Sequence, residues 1–186
     1  PVIDEVTLDG KTLGSNDYTV SYKRGENEFN EDDENADFTN VGMITVVVTP
    51  KANDNYIDLD KISGTKDFTI NPKSLEDKDI TLTVTEKEGS ILYGEESAAS
   101  FTYDGEEHKP DSIVVAMGEG ESEKELDKDV DYTVTYKRGK TTKAEDFVNV
   151  GKITVEITGQ GNFEGSRTIT YEIKKLNVTL TVDSQE

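Results

Sequence analysis

The chain states one phrase twice: DYTVSYKRG at 17–25 and DYTVTYKRG at 131–139, with Ser21 exchanged for Thr135. A small protein rarely needs a catalytic motif twice, whereas a stacked structural unit must repeat its framework. The match runs on. DFTNVGMITVVVTP at 37–50 aligns with DFVNVGKITVEITG at 146–159, DFTI at 67–70 with TYEI at 170–173, and ITLTV at 80–84 with VTLTV at 178–182. The offset between copies drifts from 114 to 109 to 98 residues. The period is therefore about 100 residues, the size of one domain, and the length changes fall between matched runs, where surface loops tolerate them.

Every matched run has a period of two. Tyr132, Val134 and Tyr136 fall on one face, as do Ile153, Val155 and Ile157, then Ile169, Tyr171 and Ile173, then Val178, Leu180 and Val182, with Thr, Lys and Glu between them. No amphipathic stretch of helical length interrupts the pattern, and Asn40-Val41-Gly42, Asn149-Val150-Gly151 and Gly159-Gln160-Gly161-Asn162 supply turns. The expectation is all-β, with an antiparallel β-sandwich of about seven strands per unit.

Two phases of the repeat fit. A unit counted from ITLTV gives a first copy at 1–75 lacking its N-terminal strands, a complete copy at 76–175, and at 176–186 the opening strand of a third repeat or the C-terminal strand of the second. A unit counted from Pro1, aligned with Pro110, gives two near-complete copies joined by 85–109. The first phase is preferred, because KEGSILYGEESAASFTYDG is too strand-like and aromatic for a linker. It leaves the first unit with an unpaired edge, open to strand addition by a neighbouring chain or by the tail.

Charge narrows the function classes. Asp and Glu number 40 against 20 Lys and Arg, a net charge of −20, so the field repels phosphate backbones and anionic lipid, and neither nucleic acid nor membrane insertion is expected. Apolar residues are 32%, enough for a thin core when alternated. No run approaches the ~18 apolar residues that span a bilayer. Pro1 in place of an initiator Met reads as an excised piece, so a missing targeting signal is silent on location. The absence of Cys excludes disulfides and thiolate chemistry. With no Trp and one His, His108, little remains for metal ligation or acid–base work near neutrality.

Several candidate sites weigh against simpler roles. The acidic insert 26–37, ENEFNEDDENAD, has the oxygens for Ca²⁺ but no EF-hand spacing, and reads as a solvated loop. Asp127, Asp129 and Asp131 alternate ahead of Tyr132 and read as polar residues entering a strand. His108, with no nucleophile nearby in sequence, reads as a surface turn. An isopeptide between Asn149 and Lys152 or Lys137 has no matching motif. Carboxylate pairs for glycoside hydrolysis lack a cleft and aromatic platforms. Phe29, Tyr56 and Tyr93 have no assignable face. The best partner-binding candidates by composition are Tyr22, Lys23 and Arg24 with Tyr136, Lys137 and Arg138, a Tyr and an Arg at a strand end; inward packing of the Tyr and charge balancing by Lys and Arg is the competing role. No catalytic, metal or cofactor residue is assigned.

YDGEEHKP at 103–110, followed by LDKDVDYTVTYKRG and FVNVGKITVEITGQGNFEGSRTITYEI, resembles the YDG-type repeats of bacterial surface proteins, close to the MBG repeats. The likeness covers 103–175, and extends to 1–84 with departures: the first copy has no Tyr-Asp-Gly segment, and KANDNYIDLDKISG replaces the compact GQGNFEGS. The resemblance implies two tandem immunoglobulin-like β-sandwich modules of a large secreted or wall-anchored protein of Gram-positive gut bacteria, extracellular and without catalytic residues. The expected role is a stalk or spacer of an adhesin, its partners the neighbouring repeats. The alternatives are a module recognising a host glycoprotein, glycan or immunoglobulin, and an accessory domain of a secreted enzyme with affinity for polysaccharide.

Overall fold

A computed structural model describes residues 3–51, 64–85, 100–118, 120–139 and 146–182. Among them every regular element is a strand except a 3-10 turn at Gly120–Ser122, and the ladders are antiparallel apart from two short parallel ones. The protein is all-β. It divides into two compact units, Pro1–Asn71 and Pro72–Glu186.

The first unit contains β1 (Thr7–Leu8), β2 (Lys11–Thr12), β3 (Tyr18–Arg24), β4 (Asn27–Phe29), β5 (Gly42–Pro50) and β6 (Gly64–Ile70). β1 and β2 form a small hairpin, and the rest form one sheet in the order β4-β3-β5-β6. Alternation sends Tyr22, Ile44 and Val46 to one face, where they join Phe29 in a buried cluster with Phe38, Phe68 and Ile70 packed against it.

The second unit contains β7 (Lys73–Ser74), β8 (Ile80–Thr85), β9 (Ser100–Thr102), β10 (Ser112–Met117), β11 (Lys124–Glu125), β12 (Tyr132–Arg138), β13 (Gly151–Gly159), β14 (Phe163–Glu164) and β15 (Ser166–Lys174). Sheet β11-β10-β8 and sheet β12-β13-β15-β9 share one core. Ile80, Leu82, Val84 and Val115 from the first meet Ile153, Val155, Ile157, Ile169, Tyr171 and Ile173 from the second, every one buried. This unit starts a few residues ahead of the boundary read at 75/76, because β7 pairs in parallel with β14 and Leu75 is wholly buried in the same core.

The two units match in several contacts. In the second, the Leu126 N–H donates to the Val115 carbonyl at 2.8 Å; in the first, the Leu13 N–H donates to the Val6 carbonyl at 2.8 Å. Phe68 lies opposite Ile44 as Tyr171 lies opposite Ile153. The β1-β2 hairpin is thus the counterpart of β10-β11. The difference is at β8: among the described residues of the first unit, no strand lies beside β1 on the side away from β2.

Two sequence expectations change. The acidic insert is not a free loop over its whole length, for β4 forms within it and Phe29 is buried against Tyr22 and Phe38, with ring centroids 6.1 and 5.3 Å away. His108 is buried rather than on a surface turn: its ring stacks on Phe101 at 4.5 Å and its backbone N–H donates to the Phe147 carbonyl. Among the described residues no ladder includes the run 178–182, and Val178, Leu180 and Val182 are 84%, 88% and 80% exposed. Tyr56, Tyr93 and the copy-two loop 140–145 lie outside the described residues.

Candidate functional site

The twice-written phrase occupies the same place in each unit: a turn, then β3 or β12, then a glycine. Its Asp caps the turn. Asp17 Oδ2 accepts the Gly14 backbone N–H at 3.0 Å, and Asp131 Oδ2 accepts that of Asp127 at 2.9 Å. The carbonyl of each Asp accepts an N–H from just beyond the next strand, Lys51 in one unit and Gln160 in the other. The acidic triplet Asp127, Asp129 and Asp131 is thereby a turn, with Asp129 at φ 68. Among the described residues no group of three or more His, Asp or Glu side chains is arranged to hold a metal.

The arginine has the most partners. Arg138 Nη1 donates to the Asp146 carbonyl at 2.7 Å, and Nη2 donates to the carbonyls of Asn149 and Val150 at 2.6 and 2.8 Å. Arg24 repeats this: Nη1 donates to the Val41 carbonyl at 3.0 Å, and Nη2 to those of Asp37 and Asn40 at 3.2 and 2.8 Å. A planar fork with five donors suits a loop that turns several carbonyls inward. The loop is in turn held by its aspartate: Asp146 Oδ1 accepts the N–H groups of Val148 and Asn149, and Asp37 Oδ1 those of Thr39 and Asn40. These backbone bonds, that of Asn149 and that of Asn40 first, hold both carboxyls below their usual pKa.

This arrangement explains why Asn-Val-Gly recurs. Gly42 has φ +134 and Gly151 φ +152, and a Cβ there would stand 2.7 Å from Arg24 Nη1 or 3.0 Å from Arg138 Nη2. The glycine clears space for the guanidinium. Arginine, aspartate and glycine form one unit of structure spread over two separate runs.

The other candidates also sit within the framework. Tyr22 and Tyr136 point inward, and burial raises both hydroxyl pKa values. Tyr136 meets Phe147 edge to face at 5.2 Å, with Lys109 Nζ 5.6 Å from each ring. Lys137 pairs with Glu156 at 2.6 Å and Lys23 with Glu28 at 3.3 Å. The acid that answers the lysine therefore comes from β13 in one unit and from the insert strand β4 in the other. Asn149 Nδ2 donates to Asp146 Oδ2 at 3.0 Å, so both Lys137 and Asn149 have other partners than each other, and Lys152 is exposed.

Among the described residues a concave feature lies away from this framework. A groove of 680 Å³ opens over the first unit's sheet, between β1 and the strands β5 and β6, with Val6, Leu8, Val46, Val48 and Phe68 in its lining. The phase of the repeat pointed to this edge of the first unit, and among the described residues no strand lies there. Comparison with protein families, with curated proteins and with solved structures finds no match.

Proposed function

We propose that this chain is a non-catalytic piece of a bacterial cell-surface protein, two tandem immunoglobulin-like β-sandwich modules that act as stalk or spacer of an adhesin. One observation carries the reading: the side chains that recur between copies are engaged in building the copy. Asp17 and Asp131 cap turns, Tyr22 and Tyr136 pack, and Arg24 and Arg138 tie down a loop. A module whose repeated residues serve its own framework, on a chain of net charge −20, is suited to separating what lies at its two ends while staying soluble.

The test is binding of the folded chain, at high concentration, to immobilised glycans and to secreted host proteins including immunoglobulins. The stalk reading expects no saturable signal. Saturable binding lost on substituting Lys23 or Lys137, whose side chains reach solvent, would overturn it and assign recognition to the strand ends.

A further inference from the structure

We propose that the pairing of β7 with β14 is a mechanical latch, which holds the second unit shut against a pull along the chain through backbone bonds loaded lengthwise and together. The inference goes beyond the stalk reading and does not rest on it, since it concerns how one folded unit meets a load, whatever supplies that load.

The chain enters the second unit through Pro72 and β7, and among the described residues the last strand of that unit is β15. A pull along the chain therefore acts on β7 from its N-terminal end and on β15 from its C-terminal end. β15 is held there on both sides. Glu172 and Ile173 pair with Lys152 and Gly151 of β13 on one side and with Ser100 and Phe101 of β9 on the other, and the Lys174 carbonyl accepts the Tyr103 N–H at 2.8 Å. The load thus passes back along β15 to the short strand that precedes it, β14, from which only Gly165 separates it.

β14 meets β7 in the parallel register Phe163↔Lys73 and Glu164↔Ser74. The Lys73 N–H donates to the Asn162 carbonyl and the Leu75 N–H to the Glu164 carbonyl, each at 2.9 Å. Direction decides how these bonds meet the load. Parallel strands have their N-terminal ends side by side, so drawing β7 by its N-terminal end and β14 by its C-terminal end slides one along the other, and both bonds must stretch at once. In an antiparallel pair the same two ends would coincide, and the bonds would open one at a time. Sliding also has to draw Leu75, wholly buried in the core shared with Ile157 and Ile169, into water. Gly165 lets β7 lie close, since a Cβ there would stand 3.2 Å from Ser74 Oγ. Just beyond, Arg167 Nη1 of β15 donates to the Ile80 carbonyl at the head of β8 at 3.0 Å, a third bond between the same two parts of the chain.

The experiment is single-molecule stretching of the full chain through pairs of introduced cysteines, the chain having none of its own. Handles at Asn71→Cys and Lys175→Cys, both exposed positions, load the latch lengthwise. Handles at Asn71→Cys and Gln160→Cys draw β7 and β14 from the same end and peel them apart. The lengthwise pull should need about twice the unfolding force of the peeling pull, because two backbone bonds yield together rather than in turn. Lys73→Pro removes one of the two donors and should bring the lengthwise force down towards the peeling force, while Lys73→Ala, which keeps the N–H, should not; circular dichroism and the urea midpoint verify that both variants fold. The two pulling directions in the chain with Lys73 intact decide the matter even if the proline variant does not fold. Equal forces in the two directions, a lengthwise force untouched by Lys73→Pro in a folded variant, or a fall as large with Lys73→Ala would each overturn the proposal.

Discussion

Replacing Arg138 by Met keeps a long side chain and removes the fork. Three donated hydrogen bonds go, to the carbonyls of Asp146, Asn149 and Val150 at 2.7, 2.6 and 2.8 Å. Bonds from a charged donor contribute about 1.5–3 kcal/mol each where water is excluded. Only the bond to Asp146 is partly buried; the other two are exposed, and the freed carbonyls there recover water. Counting one bond in full and two at well under half gives about 2–4 kcal/mol. The ion pair to Asp146 at 3.7 Å, between side chains 20% and 41% exposed, adds little. For a unit of this size about 4 °C of melting temperature accompanies each kcal/mol, so the second unit should melt roughly 8–16 °C earlier. Calorimetry of the whole chain reads this, with Arg24→Met shifting the first unit's transition to show which is which. Arg138→Lys keeps the charge and should recover less than half of the loss, because a point ammonium cannot reach three carbonyls. If Arg138→Met moved the transition by under about 2 °C, or if Lys were as good as Arg, the clamp would not be what holds the loop.

Gly151→Ala should cost about 1–3 kcal/mol from its φ of +152 and the approach to Arg138 Nη2, and the double variant with Arg138→Met should lose less than the two singles added together, since the methionine no longer presses on the new methyl. The lowered carboxyl pKa of Asp146 contributes stability that is present above the ordinary aspartate range near ~4 and disappears as pH falls through the lowered value; the urea midpoint difference between the wild type and Asp146→Asn should therefore shrink below about pH 4. Ile153→Ala, at a fully buried position, should cost about 2–5 kcal/mol, whereas Val150→Ala, exposed in the turn, should fall within about 0.5 kcal/mol of the wild type by chemical denaturation.

The alternation in the sequence located the buried faces of β13 and β15 to the residue, because a strand with one wet face leaves a period that neither loops nor charges disguise. It misplaced what depends on partners distant in sequence. β4 sits in a run of like charges whose average hides the single inward Phe29, and His108 follows two glutamates yet packs on Phe101. The tail has the period of a strand, and among the described residues no strand is paired with it. The arginine clamp was readable in principle. Arg-Gly and the Asp-Phe-x-Asn-Val-Gly run recur together while the residues between them differ in length and kind, and two runs retained across a variable gap must answer each other in space.

That gap has a further consequence. Because Arg24 and Arg138 fasten the end of β3 or β12 directly to the start of the strand it pairs with, each hairpin has an anchor common to both copies, although the residues between are ENEFNEDDENA in one copy and KTTKAE in the other. Length and chemistry there differ from copy to copy, although the first copy still sends Phe29 into its core. The clamp thus lets the two copies keep one local architecture while the segment it spans differs between them.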